Sequence, residues 1–115
     1  MNLKYEKQLK KGVLEILVLR LLAEEAKYGY LIIQELRERG GDLFSLKEGT
    51  LYPILYRLEE DQLVESQWSA PKGKETARKY YKITPSGRQE LIQMTELWDA
   101  FSGAVTTVLH NDQSK

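Results

Sequence analysis

Residues 45–60, SLKEGTLYPILYRLEE, decide the fold of this 115-residue chain. Apolar residues recur in this stretch at three- and four-residue steps, which predicts an amphipathic helix over roughly 46–61. They are Leu51, Ile54, Leu55 and Leu58. Gly49 and Pro53 lie near the front of the helix, where neither residue type favours helix stability. The front of this helix therefore points to a role other than packing.

The sequence is compatible with two starts for this helix. With Ser45 as the N-cap, Ser45 and Glu48 form a capping box and Pro53 lies inside the helix. With Thr50 as the N-cap, Pro53 falls in the first turn, where its missing N–H costs little. A 3₁₀ turn before Thr50 would reconcile both starts, so the choice stays open.

Two helices are predicted before this one. The first, over 7–25, is apolar around most of its circumference, which requires cover on more than one side and suggests a second chain. The second helix, over 28–39, is followed by Gly40-Gly41. Glycine readily takes the left-handed conformation beyond a helix end, so this pair predicts a stop.

The period changes after the third helix. Residues 63–69 are predicted to alternate between two sides of a strand, with Leu63, Glu65 and Gln67 on one side and Val64, Ser66 and Trp68 on the other. Residues 77–84 are rich in β-forming types and are predicted to be a second strand. Residues 70–76, APKGKET, form a basic turn between them. The two strands and this turn make a β-hairpin.

Thr84-Pro85 is predicted to open a last helix over 86–109, with Thr84 as the cap and Pro85 at its first position. Apolar residues form a heptad-like seam on this helix. They are Leu91, Met94, Trp98, Phe101, Val105 and Val108. Helix, helix, helix, hairpin, helix is the order of a winged helix-turn-helix, a mainly α fold with a small β-hairpin.

Composition excludes several classes of function. The chain has no cysteine and one histidine, His110. It carries no glycine-rich phosphate loop, no G-x-S-x-G motif and no His/Asp set, so we expect neither an enzyme nor a cofactor or metal site. No apolar run is long enough to span a bilayer, and no cleavage site follows the N-terminal segment. We therefore expect a cytoplasmic protein with no membrane partner.

Positive charge is concentrated at two places, although 17 basic residues balance 17 acidic ones. Residues 1–20 hold five basic and two acidic groups, and residues 72–82 hold five basic and one acidic. One interpretation is solubilising charge. The other is that the two segments are arms of one surface for an anionic ligand.

The front of the third helix is the candidate for reading double-stranded DNA, because the second helix of such a motif enters the major groove. Its candidates are Lys47, Gly49, Thr50, Tyr52 and Arg57. Basic residues of the wing would follow the phosphate backbone. The wing candidates are Lys72, Gly73, Lys74, Arg78 and Lys79. The plainer alternatives are that Gly49 and Pro53 shape a turn, Tyr52 is core, and the wing tip is a solubilising loop.

TLYPILYRLEEDQLVES (50–66) and RKYYKITPSG (78–87) together resemble the PadR family of bacterial transcriptional regulators, and YGY at 28–30 fits as well. The resemblance covers roughly residues 10–110. The short single C-terminal helix is similar to the subgroup that includes the multidrug-sensing repressor LmrR. Gln62 departs from the family, which usually has glycine there, so Gln62 must take that turn with a side chain.

The resemblance implies a homodimeric repressor on a pseudo-palindromic operator. The winged helix-turn-helix domain would cover 1–84, a dimerisation helix 85–110 and a disordered tail 111–115. The implied dimer interface comprises Leu14, Leu17, Leu21, Met94, Phe101, Val105 and Val108. A planar hydrophobic effector would bind at the dimer centre, where the implied contacts are Trp98, Ile16, Leu91 and Thr95.

Two other functions fit the same sequence. A winged-helix module that contacts a protein instead of DNA is compatible with the zero net charge and the acidic middle of the chain. A binder of small molecules would use the central cavity without any response to DNA. DNA affinity, its salt dependence and the fluorescence of Trp98 distinguish the three functions.

Overall fold

The computed structural model describes residues 3–70, 73 and 76–111. This part of the chain forms helices and a three-stranded antiparallel sheet in the order β1-β3-β2, a winged helix-turn-helix as the sequence predicts. The elements are α1 (Leu3–Lys10), α2 (Val13–Glu24), β1 (Lys27–Tyr28), α3 (Gly29–Gly40), a 3₁₀ helix (Gly41–Phe44), α4 (Glu48–Glu60), β2 (Val64–Trp68), β3 (Lys79–Ile83) and α5 (Pro85–His110).

The single helix predicted over 7–25 is wrong, because Gly12 divides it into α1 and α2. Gly12 has a φ of +92°, a value that side-chain-bearing residues rarely adopt. The apolar run that follows Gly12 concealed the break in the sequence. The break gives α1 a direction of its own.

Helix α2 is the centre of the core. Its buried residues Val18, Leu19 and Leu22 are at most 1% exposed. Helices α3, α4 and α5 and strand β3 all contact α2. The chain itself therefore covers most of the helix for which the sequence suggested a second chain.

The turn after α3 confirms the predicted stop at Gly40-Gly41. Gly41, the residue after the helix end, has a φ of +70°, and its N–H donates to the carbonyl of Arg37 in the last turn of α3. The 3₁₀ helix follows at once and leads the chain into the start of α4.

The start of α4 matches neither predicted cap. Lys47 is the N-cap residue, and its carbonyl accepts from the N–H groups of Thr50 at 3.0 Å and Leu51 at 3.1 Å. The bond from Thr50 spans three residues and is of the 3₁₀ type. Pro53 lies inside α4, where it removes the bond that its N–H would donate to Gly49. The sequence did not predict this start, because the cap uses the backbone carbonyl of Lys47 and not a side chain, and every residue type has such a carbonyl.

The end of α4 is a Schellman motif built on Gln62. Gln62 has a φ of +63°, as its place in the turn requires. The Gln62 N–H donates to the Glu59 carbonyl at 3.0 Å, and the Leu63 N–H donates to the Leu58 carbonyl at 2.9 Å. Leu58 and Leu63 are both buried, which adds the apolar contact common in this motif.

Helix α5 begins with the predicted cap. The Thr84 hydroxyl accepts from the Gly87 N–H at 2.9 Å and donates to the Gln62 carbonyl at 2.8 Å. Gly87 is buried against the Leu63 carbonyl and the Ile83 side chain, so closely that an added Cβ would collide with both. The start of α5 is therefore fixed to the turn after α4 and to the end of β3.

Lys27 joins α2, β1 and α3 through a buried charge cluster. Its side chain is 2% exposed, and Nζ lies 3.3 Å from Glu35, 3.5 Å from Glu25 and 3.8 Å from Glu24. Arg39 donates two hydrogen bonds to Glu24, and these hold the pKa of that carboxyl below its usual range. β1, which carries Lys27, was not predicted, because two residues are too short to show a strand pattern.

The second half of α5 extends away from the core. Within α5, whose residues are all described, only Gly87 and Leu91 are buried. The helices of the described part of the chain include none that is both long and apolar enough to cross a membrane.

Candidate nucleic-acid interface

The front of α4 is open to solvent and its N–H groups lack a side-chain cap. Lys47, Gly49 and Thr50 are all exposed, and no described side chain accepts a hydrogen bond from the first turn. Uncapped N–H groups at the positive end of the helix dipole suit a phosphate. The structure thus gathers three sequence-predicted residues at one anion-compatible end.

Tyr52 lies on the side of α4 that faces α3 and is half-buried. Its ring lies 6.0 Å from that of Tyr56, and its hydroxyl end packs on Gly29 at the start of α3, where a side chain would collide with it. Burial, with a smaller effect from Glu48, raises the pKa of Tyr52. The phenol therefore stays neutral at physiological pH and is positioned by the preceding helix of the motif.

Tyr56 is a further candidate for this interface that the sequence analysis did not name. It lies one turn beyond Pro53 on the exposed face of α4, and 55% of it is exposed. Lys79 Nζ lies 6.0 Å from its ring centroid. The signal was the spacing, because Gly49, Pro53 and Tyr56 are separated by four and three residues and share one helix face.

Arg57 is less available than the sequence suggested. Its Nε and Nη2 donate to one carboxylate oxygen of Glu15 on α2, at 3.1 and 2.5 Å. This ion pair offsets much of the charge that Arg57 would offer to DNA. Nothing in the sequence pointed to the pair, because its members are 42 residues apart.

The described part of the wing holds its cations at the base. The Arg78 guanidinium lies 4.4 Å from the Tyr28 ring centroid, and Tyr28 packs edge-to-face on Tyr80 at 5.4 Å. Lys79 is half-buried between the rings of Tyr56 and Tyr81. Cation–π contacts of this kind therefore fix the base of the wing to β1 and α4.

The tip of the wing is described only at Gly73, which is exposed and has a φ of +58°. Lys72 and Lys74, both predicted to contact DNA, lie outside the described residues. Their contribution stays a prediction.

The residues expected at the dimer centre differ in exposure: some form an exposed stripe on α5, and others are buried in the core. Trp98, Phe101 and Val105 form an exposed stripe on α5, with exposed fractions of 40%, 60% and 40%. Val108 continues it and is 80% exposed, whereas Met94 is half-buried where α5 meets the core.

Leu14, Leu21 and Leu91 are buried in the chain's own core, at 7%, 2% and 8% exposure. Their side chains keep little surface with which to contact a partner or an effector. Ile16 and Leu17 are half-buried. Thr95 is exposed, and its hydroxyl donates to the Leu91 carbonyl at 2.7 Å.

Among the described residues, no group of three or more His, Asp or Glu side chains is placed to hold a metal ion. What the front of α4 and the wing base offer is hydrogen-bond donors, cations and aromatic faces, the groups with which proteins contact phosphates and base edges.

Comparison with known proteins identifies the relatives of this chain. Residues 18–93 match the model of the "Transcriptional regulator PadR-like family". The chain is 32% identical over 87 residues to "Transcriptional regulator Rv3488" of Mycobacterium tuberculosis, covering 76% of this chain and 77% of that protein. It is 32% identical over 79 residues to "Negative transcriptional regulator PadR" of Bacillus subtilis, covering 69% of this chain and 43% of that protein.

The fold is also similar to that of solved structures. A PadR-like transcriptional regulator from Bacillus cereus superimposes with a TM-score of 0.78 at 32% identity, covering 91% of this chain and 99% of that one. A transcriptional regulator from Clostridium thermocellum gives a TM-score of 0.79 at 30% identity, covering 87% and 96% of the two chains.

Proposed function

Because this chain belongs to the PadR-like family of transcriptional regulators, we propose that it binds a pseudo-palindromic operator as a homodimer and represses transcription from it. The family is one of regulators and not of enzymes. The observation that carries the proposal is the front of α4, where exposed Lys47, Gly49 and Thr50 surround uncapped N–H groups. One such front from each subunit would read half-sites about one helical turn, roughly 34 Å, apart.

The roles within the interface follow from exposure and charge. Thr50 and the N–H groups of the first turn of α4 hold a phosphate or reach base edges, and Lys47 adds a cation. Tyr56 extends the contact along the groove, since it lies on the same exposed face. Arg78 and Lys79 orient the wing through Tyr28 and Tyr56, so that its tip follows the backbone.

The homodimer is supported by the exposed stripe of α5. Trp98, Phe101, Val105 and Val108 are spaced as a heptad seam, and all four are exposed in the single chain. Burial of each such side chain contributes about 1.5–3 kcal/mol, so a second copy has a strong driving force to cover them.

The effector is proposed to be planar and hydrophobic and to stack on Trp98 at the dimer centre. Trp98 is 40% exposed, and the half-buried Ile16 provides apolar surface on α2. Such an effector relieves repression only if it binds two spacings of the α4 helices with different affinity.

The first experiment is fluorescence anisotropy with a labelled duplex from upstream of the protein's own gene, against a scrambled duplex, at several salt concentrations. We expect selective binding with a steep salt slope. Thr50→Ala and Lys47→Gln should weaken it, whereas Lys82→Gln, on the exposed side of β3 opposite Glu65, serves as the control. Absence of binding to genomic fragments at low salt would instead favour the protein-interaction module.

The effector is tested through tryptophan emission. Trp68, on β2, is 64% exposed and would confuse the signal, so the test uses the Trp68→Phe variant. Quenching of Trp98 by a planar cationic dye, with release of bound DNA, is the expected result. Quenching with DNA affinity unchanged would leave a small-molecule binder with no regulatory coupling.

A further inference from the structure

The lysine-rich face of α1 lines the same concavity as the front of α4. This open concavity has a volume of about 1050 Å³. One wall is α1 with the turn after it, through Lys4, Lys7 and Lys10 of the helix and Lys11 of the turn. The opposite wall includes Lys47, Gly49 and Thr50, the residues of the proposed DNA-reading end. The Gly12 break makes this possible, because it frees α1 from the direction of α2.

Helix α1 is amphipathic in a way that separates its two faces. Leu3, Lys7 and Lys10, at the four- and three-residue steps of one helix face, border the concavity. Tyr5 and Leu9 do not border it, and they are 60% and 77% exposed. The cationic face is thus directed toward α4, and an apolar face remains on the other side.

The charge of the concavity is strongly positive although the whole chain is neutral. Its lining holds six cations and two carboxylates, an excess of four positive charges. Both carboxylates are already paired, Glu6 with Lys10 at 3.7 Å and Glu15 with Arg57. Lys7 and Lys11 are exposed, and no carboxylate of the described residues forms an ion pair with either.

We propose that the lysines of α1 and of the turn that follows it, through Lys7 and Lys11, form a second phosphate-binding element that holds the DNA strand bordering the major groove occupied by the front of α4. The inference rests on the proposed DNA binding. A major groove is about 12 Å wide, so a duplex that receives the front of α4 brings phosphates to the groove edge beside it. Unpaired cations on the facing wall complement those phosphates.

The test compares wild type with Lys7→Gln, Lys11→Gln and the double variant, using Lys82→Gln as the matched loss of one exposed charge. Glutamine keeps the helix propensity of lysine. Each phosphate contact contributes about 0.9 to the slope of log affinity against log salt, so the double variant should lose about 2 per subunit and more than tenfold in affinity. Lys82→Gln should change affinity less than about twofold.

Neutral methylphosphonate substitutions along the operator locate the contacts. Neutralising the phosphates that α1 holds should weaken wild type and leave the double variant unaffected. If the double variant keeps the wild-type slope, or responds to every substitution as wild type does, the inference is wrong. It is equally wrong if affinity falls only because the variant sediments as a monomer.

Failure of the proposed function has a different signature. In that case wild type itself binds no duplex at low salt, and the comparison among the lysine variants has no starting value. Wild-type binding with unchanged variants overturns only the role of α1.

Discussion

Helix α2 and the second half of α5 are both rich in apolar residues, yet they differ completely in burial. Val18 and Leu19 of α2 are fully buried, whereas Phe101 and Val108 of α5 are 60% and 80% exposed. Five neighbouring elements contact α2, whereas no element of the described residues covers the far end of α5. An apolar helix therefore needs a second chain only where the topology of its own chain leaves it uncovered.

The largest expected effect concerns Lys27, which lies in the part of the molecule around α2 that the chain itself covers. Lys27→Met removes the cation at the centre of Glu24, Glu25 and Glu35, and leaves the buried Glu35 Oε1 with only the half-exposed Arg39 at 4.0 Å as an opposite charge. Breaking a buried pair in this way costs about 3–5 kcal/mol. Urea unfolding measures the loss.

Two further variants sharpen this prediction. Glu25→Gln should cost less than about 1 kcal/mol, because that carboxylate is largely exposed. Adding Glu35→Leu to Lys27→Met should recover part of the stability, since it removes the buried carboxylate that Lys27 had paired. A Lys27→Met variant within about 1 kcal/mol of wild type would contradict the buried cluster.

The second half of α5, which is exposed in the single chain, is tested by Phe101→Asp. If the stripe joins two subunits, a charge at each copy of Phe101 costs the dimer about 3 kcal/mol or more, which raises its dissociation constant at least a hundredfold. Sedimentation equilibrium measures the shift to monomer. Thr106→Asp, exposed on the opposite side of α5, is the matched control. A Phe101→Asp protein that sediments as wild type would remove the stripe from the interface.

A smaller effect is expected at Tyr81, on strand β3 beside α2. Its side chain is fully buried, its hydroxyl finds no hydrogen-bond partner among the described residues, and burial raises its pKa to about 12. Unfolded tyrosine ionises near pH 10, so folding loses stability as the pH rises from about 10 to 12, by about 1.4 kcal/mol per unit.

Tyr81→Phe should abolish this component of the alkaline loss and add about 1 kcal/mol at neutral pH. Chemical denaturation from pH 7 to 11.5 measures both effects. Tyr30→Phe, at a position that is 62% exposed, should follow the wild-type curve. If the stabilities of Tyr81→Phe and wild type fall in parallel as the pH rises, Tyr81 is not the source of the alkaline loss.

The smallest expected effect concerns the turn at Gln62. Gln62→Gly should stabilise the chain by about 0.5–1 kcal/mol, because glycine adopts the observed positive φ without strain. Gln62→Ala should leave stability near that of wild type, since it keeps the Cβ that causes the strain. Thermal unfolding compares the three proteins. Equal gains from both variants would assign the effect to the glutamine side chain instead.

Features of the fold with a local cause were predictable from sequence. The Thr84 cap and the Gly41 stop each depend on one residue type in one conformation, and the structure has both. The turn at Gln62 was expected from the family resemblance and not from the residue type, and Gln62 has the positive φ of that turn. The hairpin and the order of the helices followed from a change of period. These features need no knowledge of distant contacts.

Features that depend on distant parts of the chain were not predictable. Arg57 pairs with Glu15 across 42 residues, and β1 exists because Lys27 and Tyr28 lie beside β3. Gly12 was visible in the sequence, but the apolar run that follows it favoured the prediction of one continuous helix. The helix predicted over 46–61 is present as α4 over Glu48–Glu60, whereas its N-cap and the partners of its side chains required the fold.

The tight contact at Gly87 has a mechanical consequence. No side chain fits between α5 and the backbone of Leu63, and Thr84 bonds to both sides of the junction. α5 therefore behaves as a rigid lever whose pivot is the base of the wing. With 26 residues it is about 39 Å long, so a tilt of about 5° at the pivot corresponds to a displacement of about 3 Å at the far end. In the proposed dimer, an effector bound beside Trp98 would push on this arm partway along its length and would turn the wing at its base.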